Sequence, residues 1–172
     1  QETKEHSMRL QEMAQQMGQV LHLSFHQLIE LDLLVRLHDL GKIAIPQNIL
    51  NKPGPLSPEE WEKVKQHPEI GYRIAQSSPD LISIGESILV HHERWDGLGY
   101  PRGIKGEEIP LNARIITIID AYDVMVNGRP YKNPMTPEEA LNELQKNAGT
   151  QFDPNLVKLF LQIIKGDQKD LG

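Results

Sequence analysis

Seven histidines and no cysteine stand in this 172-residue chain, and most of the seven fall where a polar side chain has no packing role. His38 and Asp39 close a strongly apolar run, inside LHDLGK at 37–42. His67 precedes Pro68, where a helical run should break. His91 and His92 end another apolar run, in which Ile84, Ile88 and His91 share a helical face. Asp120 lies in an isoleucine-rich stretch, flanked by Ile119 and Ala121. A carboxylate buried alone there would stay protonated or carry a large desolvation cost, unless a cation or hydrogen-bond donors met it. Imidazoles and carboxylates at helix ends relieve one another around metal ions. Such ligands suit iron, manganese, nickel or zinc, and the lack of thiolates argues against soft-metal sites.

Taken singly, each of these residues has a plainer reading. A lone histidine on an apolar face is more often a hydrogen-bonded core residue than a ligand, and an adjacent His-Asp pair is common by chance. His22 and His26 illustrate the plain case: one helical turn apart, around a helix start in a polar run, they read as surface or packing residues. What separates the others is their number and surroundings.

The elements that must position them are helical nearly throughout. Leu10, Met13, Met17 and Val20 recur at helical spacing from Glu2 to about Leu21, with His6 on the same stripe and Glu2 one turn before it. Ser24 with Gln27 forms a capping box opening a helix to Leu40, which Gly41 is placed to end. Ser57-Pro58 with Glu60, Thr136-Pro137 with Glu139, and Asp153-Pro154 repeat the start signal. Residues 111–126 could pass for a buried strand, but Ile115, Ile119, Tyr122 and Val126 keep the helical period over too long a run. Two segments, 42–56 and 93–110, are rich in proline and glycine. A loop as long as the second, inside a compact domain, is more often functional than idle.

The length suits one domain with a sizeable core. Without cysteine there is no disulfide framework and no thiolate nucleophile. Eighteen basic against twenty-four acidic residues leave a net charge of −6, which argues against a nucleic-acid polymer as partner. An anionic small substrate would need positive charge concentrated locally. No apolar run is long enough to span a membrane, and no signal-peptide pattern opens the chain, so a soluble cytoplasmic protein is expected.

HHERWDGLGYP at 91–101, following LHDLGKIAIP at 37–46, resembles the HD-GYP family, a branch of the HD phosphohydrolase superfamily. The likeness continues through KPGPLSPEE (52–60), the His67 segment, IPLNARII (109–116), Asp120, RPYK (129–132) and FDP (152–154), in order and spacing. It implies an all-α helical bundle of the HD type, with the long Gly/Pro-rich loop beside a centre of two or three metals. It also implies a catalytic domain over 1–165, cut from a longer chain with an upstream sensory or receiver domain, and a polar tail over 166–172. A homodimer is compatible with that organisation.

Carried over by position, the resemblance makes His38, Asp39, His67, His91, His92 and Asp120 the binuclear ligands, with Asp39 a bridge. His6 matches a further ligand, and Glu2 the carboxylate that recruits a third metal in some members. Lys42, Arg129 and Lys132 match the cations that hold the substrate phosphates; on charge alone, Arg129 and Lys132 would read as a solvated loop. Trp95 and Tyr100 have rings that could stack on a guanine or pin the loop, and Tyr100 is retained as a substrate-binding candidate. Glu93 and Asp96, close after the ligands, are placed to hydrogen-bond a ligand imidazole.

The implied activity is hydrolysis of the bacterial second messenger cyclic di-GMP to pGpG, and on to GMP after a second cut. Phosphodiester hydrolysis needs a nucleophile at neutral pH, which a hydroxide bridging two metals supplies. It also needs charge neutralised in the transition state, for which Lys42, Arg129 and Lys132 would join the metals. Iron or manganese is the leading expectation, with nickel or zinc as alternatives. Two other functions fit the same residues: hydrolysis of another cyclic dinucleotide, such as a hybrid cyclic GMP–AMP, or of a mononucleotide; and a cyclic di-GMP-binding signalling module with little turnover.

Overall fold

Capping chemistry sets most of the helix starts. The structure is a computed structural model and describes residues 3–128 and 133–169; among these the chain forms nine α-helices and no strand. Thr3 caps α1 (Lys4–Val20), its side chain accepting from the His6 amide. Reciprocal capping boxes open α2 (Phe25–Leu37) at Ser24 and Gln27, and α4 (Pro58–Val64) at Ser57 and Glu60. A short α3 (Gln47–Leu50) lies between them. Pro68 sits in the first turn of α5 (His67–Gln76), so the break expected before it is the gap between α4 and α5. Then come α6 (Ile82–Val90), α7 (Leu111–Asn127), and α8 (Pro137–Lys146) with its Thr136–Glu139 box. In α9 (Pro154–Lys169), the Asp153 carboxylate accepts from the amides of Asn155 and Leu156. This last helix runs on past Gly166, so residues 166–169 continue it.

The isoleucine-rich stretch is the central helix. α7 packs against α1, α2, α6, α8 and α9. Its Ile115, Ile116, Ile118 and Ile119 are all buried, which is why the run lacks the polar stripe of a surface helix and resembles a strand in sequence. Leu10, Met17, Leu31, Leu34, Ile88 and Phe160 complete the contact around it, and Tyr122 meets Phe160 edge to face at 5.1 Å between ring centres. Among the described residues no helix is long and apolar enough to cross a membrane.

Two expectations change. α2 ends at Leu37 with His38 as its C-cap, and Gly41 lies inside a separate 3₁₀ turn, Leu40–Ala44. Gly41 is there for space: a Cβ on it would lie 1.8 Å from the His67 carbonyl oxygen and 2.7 Å from the Gly71 nitrogen. The turn carrying Lys42 is thus pressed directly onto the first turns of α5. Second, Asp120 is not a buried carboxylate, its side chain being 33% exposed, whereas Asp123, one turn on, is 3% exposed.

Candidate metal centre

The same local device recurs at three places in the chain. His38 caps α2, His91 caps α6, and His67 follows the end of α4 by three residues. The last carbonyls of a helix lack intrahelical partners. Each of these imidazoles turns back on one of them: His38 Nδ1 lies 3.0 Å from Val35 O, His67 Nδ1 2.6 Å from Val64 O, and His91 Nδ1 2.6 Å from Ile88 O. A carbonyl only accepts, so each Nδ1 carries the proton and each Nε2 presents a lone pair. This arrangement orients imidazoles for metal binding and selects their tautomer. The negative ends of the helix dipoles favour a cation at the same place.

The lone pairs converge on Asp39. His67 Nε2 is 3.1 Å from Asp39 Oδ1, 3.4 Å from His91 Nε2 and 3.1 Å from His92 Nε2, and His91 Nε2 is 3.8 Å from Asp39 Oδ1. Ligand atoms of Asp39, His67, His91 and His92 all lie within 4.8 Å of one another. Metal bonds of about 2.1 Å set neighbouring ligand atoms about 3.0–3.4 Å apart, the spacing of most of these pairs. Asp39 Oδ1 is buried with no hydrogen-bond partner among the described residues. Two imidazole lone pairs and an orphaned carboxylate oxygen repel one another unless a cation lies among them, so the donor set fits a divalent metal. His38 stands at the edge of the group, its Nε2 3.7 Å from Asp39 Oδ2 and its ring edge-on to His91.

Protons do not substitute for that cation. Burial pushes His91 below the ordinary histidine range, though Asp39 opposes it. Burial does the same to His92, reinforced by the neighbouring His91 and His67. Burial alone would raise the Asp39 carboxyl, but at the acid pH where it would titrate, protonated His67, His91 and His38 rings and the Lys42 ammonium outweigh burial and hold the group well below the usual carboxylate range. Neutral His91 and His92 beside an ionised Asp39 are in the protonation state that metal binding requires.

His6 and Asp120 meet across the α1–α7 contact, with His6 Nε2 3.4 Å from Asp120 Oδ1. Behind them lies Asp123, which sequence reasoning passed over. Its carboxylate accepts from His6 Nδ1 at 2.6 Å, from Arg9 Nε at 2.5 Å and Nη2 at 2.9 Å, and from Asn127 at 2.9 Å. Burial opposes its ionisation, but Arg9 and His6 prevail and keep it below the usual range. His6 therefore presents Nε2 towards Asp120 as the other histidines present theirs towards Asp39. The available signal was spacing: Asp123 and Asn127 lie one turn apart on α7, as do His6 and Arg9 on α1.

Lys42 bonds the Asp39 carboxylate and remains 38% exposed at the rim. Tyr100 stacks on His92, ring centres 5.0 Å apart and planes 16° from parallel, and burial with the Asp39 charge pushes its hydroxyl up to about 12. Gly99 permits this return of the loop, since a Cβ there would lie 2.5 Å from Glu93 Cα and 2.6 Å from His92 O. Glu93 and Asp96 do not bond a ligand imidazole. Asp96 pairs with Arg94 and accepts from the Leu98 amide, and Glu93 accepts from the amides of Arg102 and Gly103. Trp95 lies under the Arg114 guanidinium, and its amide bonds Gln151 O, so it fixes the loop to the start of α9. His26 is a surface residue 3.3 Å from Glu30. Glu2, Arg129 and Lys132 lie outside the described residues.

Comparison with known proteins agrees with this architecture. The HD domain family profile matches residues 1–156. A cyclic di-GMP phosphodiesterase of Thermotoga maritima is 43% identical over 166 residues, covering 95% of this chain and 45% of that protein. The cyclic di-GMP phosphodiesterase response regulator RpfG of Xanthomonas campestris is 42% identical over 156 residues, covering 90% of this chain and 41% of its own length. The 3'3'-cGAMP-specific phosphodiesterase 2 of Vibrio cholerae is 43% identical over 128 residues, covering 73% and 24%. This chain thus spans less than half the length of these relatives. Among solved structures, a cyclic GMP-AMP-specific phosphodiesterase of Vibrio cholerae superposes with a TM-score of 0.75 at 24% identity, over 95% of this chain and 44% of that one. With the profile match over most of its length and the HHERWDGLGYP string in place, the chain belongs to the HD domain family, in its HD-GYP branch.

Proposed function

We propose that this domain hydrolyses a phosphodiester bond of cyclic di-GMP, yielding pGpG and, after a second cut, GMP. The observation that carries the reading is the convergence of imidazole lone pairs from His67 and His91, with the adjoining His92, on the orphaned Asp39 oxygen. Two or three divalent metals would be held by His38, Asp39, His67, His91, His92, Asp120 and His6, with Glu2 as a further carboxylate; iron or manganese is the expected identity. Bound there, such metals lower the pKa of water to near neutrality and neutralise charge developing on a phosphoryl group. The protein's own residues do the rest. Asp39 stays ionised between the imidazoles, and Asp123 keeps His6 in one tautomer. Lys42, exposed at the rim, brings a positive charge to the scissile phosphate, with Arg129 and Lys132 as further cations. Tyr100, a neutral phenol lying on His92, walls the site on the loop side.

Relatives named cyclic di-GMP phosphodiesterases support the substrate. The domain would work in the cytoplasm within a larger signalling protein, as the response-regulator name of one relative suggests. Incubating the iron- or manganese-loaded protein with cyclic di-GMP and resolving products by chromatography tests the reading. Absence of turnover with both metals refutes it, as does full activity after combined His38→Ala and Asp39→Ala. A second substrate has a specific observation behind it, because a relative equally similar over its matched part is named cGAMP-specific. Competing the two dinucleotides in one reaction decides which is preferred.

A further inference from the structure

Glu93 directly follows the His91–His92 pair and is 2% exposed. Its Oε1 accepts from the Arg102 amide at 2.6 Å and the Gly103 amide at 3.0 Å. Its Oε2 is equally buried and has no hydrogen-bond partner among the described residues. A buried carboxylate oxygen left so is costly, and burial of this kind is normally relieved by a partner. Beside Glu93 lies a cavity of about 10 Å³, whose lining includes Arg114, Thr117 and Gln151. That is about the space one water needs, and a water there would find the two to four polar partners it requires. The Arg114 guanidinium on the cavity wall makes a metal cation a poor occupant. Thr117 Oγ also lies 3.1 Å from His91 O, so the cavity backs directly onto the ligand-bearing turn.

We propose that Glu93 is a positioning residue for His92, and that its second oxygen binds one internal water bridging the loop to α7. The route is short. Oε1 clamps the amides of Arg102 and Gly103, which fixes the returning strand of the loop. That strand carries Tyr100, whose amide donates to His92 O at 3.3 Å and whose ring lies on the His92 imidazole. The water ties the other side of the same carboxylate to the central helix, so His92 is held between two fixed supports. This role is independent of which dinucleotide, if any, the domain hydrolyses.

The test uses metal-free protein and the NMR resonance of the His92 ring, assigned with His92→Gln. Tyr100→Leu removes the aromatic ring from His92 and defines the resonance of an uncovered imidazole. Glu93→Leu should move the resonance towards that position and speed amide exchange at Arg102 and Gly103 by about tenfold or more. Glu93→Gln keeps a carbonyl oxygen for the two amides and an amide for the water, so it should retain both signals. A folded Glu93→Leu protein with unchanged His92 resonance and unchanged exchange overturns the proposal. Should that variant fail to fold, the wild-type protein still decides: unprotected Arg102 and Gly103 amides overturn the clamp. A crystal structure showing the cavity dry, or holding a metal cation, overturns the water.

Discussion

Gly41→Ala separates two explanations of one glycine. As a helix C-cap, Gly41 would serve through a left-handed backbone, and asparagine would replace it at little cost. The structure gives it no such backbone: among the described residues six glycines have positive φ, and Gly41 is not one of them. Instead its Cα faces the α5 backbone, where a Cβ would meet the His67 carbonyl oxygen at 1.8 Å. Real Cβ contacts essentially never fall below 3.0 Å, so α5 and the 40–44 turn must separate by more than an ångström. Backbone cannot yield as a flexible side chain does, and overpacking of this kind costs about 1–3 kcal/mol or more. The larger consequence is at the site. Asp39 and His67 sit on the two segments being pushed apart, with ligand atoms only 3.1 Å from each other. Metal ligands tolerate errors of about 0.2 Å. Gly41→Ala should therefore lower the urea midpoint and also lose most bound metal, with Gly41→Asn worse than Gly41→Ala. Denaturation curves and elemental analysis of dialysed protein measure both. If asparagine is tolerated, or if the alanine variant keeps wild-type metal content, the close-approach explanation is wrong.

Asp39→Asn should abolish binding at the His67–His91–His92 group while leaving the helical circular dichroism intact, as read by metal analysis beside the wild type. Asp123→Asn should cost about 2 kcal/mol of stability, through lost charged bonds from Arg9, and weaken binding at His6 about 10–100-fold. In that variant the Asp39, His67, His91 and His92 group, whose ligand atoms lie within 4.8 Å of one another without His6, should keep its metal; loss of all metal would contradict that self-sufficiency. Metal-free protein should be acid-sensitive in a particular window. Folding lowers the pKa of His91 and His92, so their contribution is complete above the unfolded value of about 6.5 and is lost as pH falls below it. Each removes up to about 1.4 kcal/mol per pH unit there, whereas Asp39, also lowered, matters only below about pH 4. Urea midpoints flat between about pH 7.5 and 5 would contradict the buried neutral pair.

How far the sequence carries can be read from individual residues. Helix starts were legible because Ser24, Ser57 and Thr136 act on amides three residues away, within the span of a local pattern. The histidine cluster is legible for a similar reason: each ring bonds a carbonyl three residues back, so each sits just past a helix end, after an apolar run for His38 and His91 and directly before Pro68 for His67. Asp120 and Asp123 were not separable by period. They lie three residues apart on one helix, and the approach of Arg9 and His6 from α1 decides which is buried. Gly41 looked like a helix terminator because the α5 backbone it meets is 26 residues away in sequence. The sequence places Glu93 next to the imidazoles but not its true partners, Arg102 and Gly103, because these depend on the path of the intervening loop.

His38, His67 and His91 come from three separate stretches of a chain that contains no cysteine. An ion held by Asp39, which adjoins His38, together with His67, His91 and His92 would act as a removable cross-link. It closes two loops of more than twenty residues each, and restricts the unfolded chain much as disulfides would. Unlike a disulfide, this staple responds to concentration: stability rises with the logarithm of free metal above its dissociation constant. On the proposed function, the residues that serve the chemistry would also tie the domain's lifetime in the cell to metal supply, and a metal-starved copy would lose that activity and unfold more easily.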